Sequence, residues 1–435
     1  MKNFIKSISV LLLLSSAIAS YSQETHEMKA QRMKWFHDAR LGIFIHWGIY
    51  SVNGIDESWS FYNGYISYPD YMKQLEGFTA SSWKPSEWAD LIKESGARYA
   101  VLTTKHHDGV ALWDTKLSDL NVVKKTPAAK DLVGPFCKAL RKNGIKTGLY
   151  FSLLDWSNKD YPNFTGKEKR YTTDTLKWNR FTTFNHGQIK ELAISFNPDL
   201  FWFDGDWEQS ADRWKAKEIR EMILKRNPEA IINSRLQGYG DYATPEQGLP
   251  VIRPVDEYWE LCMTINDSWG YQQNDRNYKT PAQVVSIFSE VISKGGNLLL
   301  DIGPREDGTI PSGQVEVLKI LGRWTRKNAE AIYGTEGGLP PGYFHGATTI
   351  SNDSTTLYLF FKGNPGEQVM LTGVKNKINR IYVVGNGTKL EWKEYLRPYW
   401  SSNAGVVFID VPETVLDEYM TVLAIVLNGK LEIQK

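Results

Sequence analysis

The stretch Leu200-Phe201-Trp202-Phe203-Asp204-Gly205-Asp206-Trp207 sets a carboxylate at the end of an unbroken apolar run. Four apolar or aromatic residues in a row suit a strand buried on both faces. An acid at the C-terminal end of such a strand stands where backbone ends meet ligands in parallel α/β folds. An acidic Asp-Gly turn looks the same locally, so the argument rests on the company this acid keeps. His46-Trp47-Gly48 follows one apolar run, Lys105-His106-His107-Asp108-Gly109 a second, and Tyr150 with Asp155-Trp156 a third. Asn233-Ser234-Arg235 and Glu257-Tyr258-Trp259-Glu260 mark two more such points. Three of the chain's seven histidines fall at these ends.

Paired carboxylates in such a cluster suit glycosidic bond cleavage. One, ionised, attacks the anomeric carbon. The other, with a raised pKa, protonates the leaving oxygen and later activates water. Asp204 and Glu260 are the expected pair, with Glu257 and Glu57 as competing acids. Retention would set the two carboxyls ~5–5.5 Å apart, inversion ~6.5–9.5 Å. As neutral imidazoles, His46, His106 and His107 can exchange hydrogen bonds with sugar hydroxyls. With Asp108 or Asp204 they could instead ligate a metal. Against the metal, neither HxH nor HExxH occurs, and adjacent residues on an extended strand point to opposite sides. Trp59, Trp202 and Trp269 are candidate apolar walls, or simply core. No metal and no cofactor are expected.

The elements that must position these groups alternate from Lys34 to about Tyr333. Strands are expected at 42–46, 99–104, 147–152, 200–203, 230–233 and 297–302. Helices are expected at 85–95, 132–143, 184–196, 211–225, 281–294 and 315–328, with Gly96 and Gly144 as stops. Strands alternating with helices of roughly 10–15 residues imply parallel pairing and right-handed crossovers. Six to eight such units match a (β/α)8 barrel. A doubly wound sheet with a phosphate turn is the alternative, but no GxGxxG or GxxxxGK[ST] follows the first strand. Beyond about Gly334 the pattern changes to short alternating runs punctuated by Gly, Asn and Pro, as in a small antiparallel β-sandwich. The expected division is a leader at 1–22, a catalytic barrel at 23–336 and the sandwich at 343–435.

The leader reading rests on Lys2 and Lys6, the apolar run Ile8 to Leu14, and Ala17-Ile18-Ala19 as a small-x-small cleavage pattern. The run is too short to span a bilayer. The expectation is export to the periplasm or beyond, without a membrane anchor. A net charge of +1 over 435 residues implies no nucleic-acid surface. Aromatics make up 13% of the chain, with 16 Trp, a share that suits the apolar faces of sugar rings or a large core. Cys137 and Cys262, the only cysteines, are expected as two separate buried thiols.

The same segments carry a resemblance to a known family. Trp35 to Gly48, Thr104-Lys105-His106-His107-Asp108-Gly109, Trp202 to Trp207, Asn233-Ser234-Arg235, Trp259-Glu260 through Ser268-Trp269-Gly270-Tyr271, and Ser293 to Pro304 occur in that family's order. Together they resemble the α-L-fucosidases of glycoside hydrolase family 29. The resemblance implies hydrolysis of terminal α-L-fucosyl linkages with retention, on fucosylated oligosaccharides or glycoconjugates. It implies Asp204 as nucleophile and, through the Trp-Glu motif, Glu260 as acid/base. It implies that His46, His106, His107, Tyr150, Trp202 and Arg235 hold the fucose hydroxyls. Trp59, and Trp269 or Tyr271, would face the methyl group and ring. Gly296 and Asp301 stand where the family commonly has Asn. The competing readings are a hydrolase of another sugar on the same barrel, a non-catalytic glycan-binding protein and a metal hydrolase.

Overall fold

The computed structural model describes residues 24–366, 368–395, 399–400 and 404–434. The expected leader lies outside the described residues. Seven strands form a parallel sheet: β1 (Leu41–Ile45), β2 (Tyr99–Lys105), β3 (Lys146–Ser152), β4 (Leu200–Asp204), β5 (Ile231–Ile232), β6 (Glu260–Thr264) and β7 (Asn297–Ile302). Their order is β5-β4-β3-β2-β1-β7-β6. Nearly every residue in them is buried, as continuous apolar runs require when helices cover the outer face.

The gap between β5 and β6 is filled by residues 242–246. Parallel bridges join Asn233 to Tyr242, Ala243 to Trp259, and Glu246 to Cys262. The Glu260 amide donates to the Ala243 carbonyl at 2.9 Å and the Cys262 amide to the Pro245 carbonyl at 3.1 Å. Pro245 has no N–H to give, so this eighth segment cannot make a regular ladder. The barrel is thus (β/α)8-like with one fragmentary stave. No helix follows that stave among the described residues. Instead the chain returns to β6 through a stretch containing Pro250 and Pro254.

Helices Pro85–Glu94, Val133–Lys142, Thr175–Phe196, Ala216–Arg226, Pro281–Ser293 and Ser312–Lys327 surround the sheet. Gly96 and Gly144 follow the first two with φ of 91° and 73°, a conformation that ends helices and favours glycine. The helix expected over 211–225 is interrupted. Lys215 takes a φ of 51° between Ala211–Trp214 and Ala216–Arg226. Trp214 is buried there, its indole N–H donating to the Asp206 carbonyl at 2.8 Å. This break fixes the loop that follows Asp204. A helix not anticipated, His26–Ala39, precedes β1.

Two antiparallel sheets follow. One contains β8 (Thr335–Gly337), β9 (Ala347–Ser351), β10 (Thr356–Phe361), β12 (Ile378–Val383) and β15 (Thr421–Leu427). The other contains β11 (Gln368–Thr372), β13 (Trp392–Tyr395) and β14 (Val406–Asp410). Leu357, Leu359, Ile381, Leu423 and Ile425 meet Val369, Leu371, Val407 and Ile409 in a core between the sheets. The other face of the five-stranded sheet packs on the barrel. There Phe360 lies beside Trp324, whose indole N–H donates to the Met420 carbonyl at 3.0 Å. The helix Pro281–Ser293 packs on both β7 and this sheet, and Ser312–Lys327 packs beside it. Cys137 and Cys262 are separate, buried thiols.

Candidate active site

The interior of the barrel is lined by alternate residues of each strand, and its character changes with depth. At the floor, Tyr99, Glu260 and Asn297 begin β2, β6 and β7. In the middle, Phe44, Val101, Trp202, Cys262 and Leu299 form one apolar cluster. At the mouth, His46, Asp204 and Asp301 converge with Tyr150. Residues from the strand ends and following loops enclose a cavity of about 150 Å³ there. That volume suits one small ring. His46, Trp59, His106, Tyr150, Trp202, Asp204, Arg235 and Trp269, all expected at a site, line it.

Asp204 ends β4 and is buried at the cavity wall. Arg235 Nη1 donates to its Oδ1 at 2.7 Å and the Tyr150 hydroxyl to its Oδ2 at 2.9 Å. His107 Nε2 stands 3.6 Å from Oδ2. Burial alone would raise this carboxyl. The Arg235 charge, then His107 and the hydrogen bonds, outweigh burial and hold it below the usual carboxylate range. Arg235 also lies over the Trp202 ring at 4.6 Å, which fixes the plane of its guanidinium.

The three histidines are held by their other ring nitrogens. His46 Nδ1 is 2.7 Å from Asp301 Oδ1, His106 Nδ1 is 2.6 Å from Ser58 Oγ, and His107 Nδ1 is 2.6 Å from Ser152 Oγ. Burial pushes His46 down to about 3 and His107 to about 4, and lowers His106 as well. All three are therefore neutral rings at working pH, able to meet hydroxyl groups. Among the described residues no group of three His, Cys, Asp or Glu side chains is placed to hold a metal ion. Trp269 lies over His46 with centroids 4.9 Å apart, and Trp59 meets His107 edge-on at 5.5 Å. Tyr271, the alternative to Trp269, instead packs beneath Arg305, whose charge lies 5.0 Å from the ring centre.

The candidate acids separate by depth. Glu260 begins β6 instead of ending it, so it stands on the barrel floor, completely buried. It accepts hydrogen bonds from the Tyr99 hydroxyl at 2.5 Å and from Trp202 Nε1 at 3.0 Å. Trp202 thus separates it from the cavity, which corrects the expectation that Glu260 faces the sugar. Glu257 is on the outer surface, 3.3 Å from His26, and is likewise removed from the site. Glu57 does line the cavity. One of its oxygens accepts the Gly270 amide, and burial pushes its carboxyl up to about 7.

Four lining residues were not anticipated at the site: Phe44 and Cys262 from the apolar middle of the barrel, and Glu246 and Trp207 at the mouth. Glu246 ends the fragmentary stave, with its side chain 41% exposed. Arg235 Nη2 donates to its Oε2 at 2.5 Å while Nη1 holds Asp204, so one rigid guanidinium spans both carboxylates. Trp207, 51% exposed at the rim, lies nearly parallel to Trp59 with centroids 6.4 Å apart. The only sequence signal for Glu246 is an acid after a short run between two strands. Trp207 sits within the motif already singled out.

A family model described as alpha-L-fucosidase matches residues 11–330. The tissue alpha-L-fucosidase of Homo sapiens is 32% identical over 331 residues, 69% of this chain and 69% of that protein. The one from Macaca fascicularis is 33% identical over 328 residues, again 69% of each chain. Among solved structures, alpha-L-fucosidase isoenzyme 1 from Paenibacillus thiaminolyticus superposes with a TM-score of 0.84 at 32% identity, covering 92% of this chain and 100% of that one. A GH29 alpha-L-fucosidase from Bacteroides thetaiotaomicron was trapped as a covalent intermediate with 2-fluoro-fucosyl fluoride in a glutamate-to-glutamine mutant. It matches with a TM-score of 0.81 at 27% identity, covering 92% and 96% of the two chains.

Proposed function

The chain belongs to the α-L-fucosidase family, glycoside hydrolase family 29, and is a retaining hydrolase of terminal α-L-fucosyl linkages; within it we propose that Asp204 is the nucleophile and Glu246 the acid/base. The observation that carries this assignment is the single guanidinium of Arg235 clamped between those two carboxylates at the cavity mouth. A separation set by one planar fork fits the short spacing that retention needs, ~5–5.5 Å.

The steps follow from the positions. Asp204, kept ionised by Arg235 and Tyr150, attacks C1 of the fucose from one face. Glu246 gives its proton to the departing oxygen as the bond to the aglycone breaks. It then takes a proton from water, which displaces Asp204 and releases α-L-fucose. The leaving sugar must exit through the mouth, and Glu246 is the partly exposed acid there. Glu57, whose carboxyl burial pushes up to about 7, is buried and engaged by Gly270, which suits a contact to a sugar hydroxyl. His46 and His106, which line the cavity, read the remaining hydroxyls, while His107 stands off the lining with Nε2 3.6 Å from Asp204 Oδ2. Trp59, Trp207 and Trp269 give the ring and its methyl group apolar faces.

Fucosylated oligosaccharides or glycoconjugates are the proposed substrates. Residues 1–22 are proposed as an export leader, so the mature enzyme would act in the periplasm or outside the cell. Among the described residues no helix is long and apolar enough to cross a membrane. The test is release of nitrophenolate from 4-nitrophenyl α-L-fucoside by the mature chain, with Asp204→Gly alongside. The variant is expected to lose on the order of 10³–10⁵ in kcat, with azide restoring turnover. Near-normal turnover without azide would remove Asp204 from the mechanism.

A further inference from the structure

One buried carboxyl behind the cavity-lining His46 has no part in the hydrolysis described above. Asp301 lies on β7 opposite Phe44 of β1, and its Oδ1 meets His46 Nδ1 at 2.7 Å. Its Oδ2 is buried with no hydrogen-bond partner among the described residues. No Lys or Arg pairs with it among those residues; His46 is its one ion-pair-range neighbour. Glu57, a second acid, acts on it electrostatically. The His46 ring itself packs against Phe44 and Trp269, with His106 and Tyr150 next nearest, and feels the charges of Asp204 and Arg235, with the titratable His107 also facing it.

An ionised Asp301 would be a buried anion with one bare oxygen, a like charge nearby and no cation. A protonated carboxyl leaves only a weak carbonyl acceptor unpaired. Burial, then Glu57, push Asp301 well above the usual carboxylate range, against the pull of the His46 backbone amide. His46 is neutral and carries a single ring proton. With the acid proton on Oδ1 directed at Nδ1, that ring proton must sit on Nε2.

We propose that Asp301 is a positioning residue that fixes His46 as the Nε2–H tautomer, so that the imidazole offers a donor to the sugar oxygen it meets. The identity of that sugar rests on the fucosidase reading; the tautomer does not. The hydroxyl facing His46 must then accept there and donate its own proton elsewhere, which constrains how the ring is read. A carboxylate at 301 would reverse this polarity.

Histidine-labelled [15N] enzyme at neutral pH tests the proposal by long-range proton–nitrogen correlation, with the His46 signals identified by their loss in His46→Gln. The expected pattern has Nε2 protonated and Nδ1 bare. A proton on Nδ1, or on both nitrogens, overturns the proposal. Asp301→Asn keeps a donor at the same place through its amide. It should keep the tautomer and hold KM for the nitrophenyl fucoside within about threefold. Asp301→Leu removes the donor and should mix the tautomers. KM should rise about tenfold, with kcat changed less. A switch to Nδ1–H in the Asn variant, or an unchanged KM in the Leu variant, overturns the assignment. Should the Leu variant fail to fold, the wild-type and Asn spectra decide. An Nε2–H signal in an enzyme that turns over no fucoside would sink the fucose reading and leave the tautomer standing.

Discussion

The floor and the mouth of the barrel use the same side-chain types for opposite ends. At the floor, Glu260 is sealed beneath Trp202, with donors from Tyr99 and Trp202 on its two oxygens. At the mouth, Glu246 is partly open to solvent and Asp204 is wired to Arg235. A buried carboxylate with donors on both oxygens stabilises a fold, whereas one that lines a cavity and is open to solvent is available to a ligand. Residue type does not distinguish a structural glutamate from a chemical one; depth along the strand does.

The strongest way to break this comparison is at the mouth. Glu246→Gly should lower turnover of a fucosylated disaccharide on the order of 10²–10⁴-fold. Turnover of 4-nitrophenyl fucoside should fall far less, because that leaving group needs no proton. Azide should then yield the retained α-fucosyl azide, since it intercepts the covalent intermediate. In Asp204→Gly it should yield the inverted product. Product analysis by NMR separates the two. An inverted azide from Glu246→Gly would assign the residues the wrong way round.

The floor should respond in stability and not in chemistry. Glu260→Gln should keep kcat within about threefold while changing the pH dependence of unfolding. Burial raises the Glu260 carboxyl to about 7 from an ordinary 4.5. A raised acid binds its proton more tightly when folded. Its contribution is therefore fully present below about pH 4.5 and is lost as pH climbs through about 7, by up to about 3 kcal/mol. Glu57 titrates in the same window and the same sense. Urea midpoints at pH 5 and pH 8 should therefore fall less in Glu260→Gln than in wild type. An equal fall would remove Glu260 from the account.

The smallest effect is expected at the rim. Trp207→Ala should raise KM for fucosylated oligosaccharides several-fold, consistent with the ~0.5–1.5 kcal/mol of one aromatic contact, with little change in kcat. An altered kcat would make Trp207 part of the chemistry instead of the rim.

Much of this was legible in the chain. β1, β2, β3, β4 and β7 fall within a residue or so of their expected bounds, because a strand buried on both faces must be an unbroken apolar run. Asp204, His46 and His106 followed as the polar residues at or just beyond those runs, and Arg235 as the one just beyond β5. β5 lies within its expected 230–233 but is only two residues long, whereas the stave at 242–246 was not expected: it contains Pro245 and shows no periodic pattern. Glu246 was hidden by that break. Glu260 was placed at a strand end when it is a strand beginning, and in a parallel barrel that exchanges mouth for floor.

The sequence by itself determined the alternation of strands and helices, the sandwich that follows and the acid that ends β4. Apolar periodicity is a local property, and the family motifs lie on its strongest segments. Which carboxyl partners that acid was decided only in three dimensions. Arg235 joins Asp204 and Glu246 across 31 and 11 residues of chain, and the closing stave exists only because β5 and β6 leave a gap of its width. Barrel closure is a constraint on the whole sheet, and no window of sequence contains it.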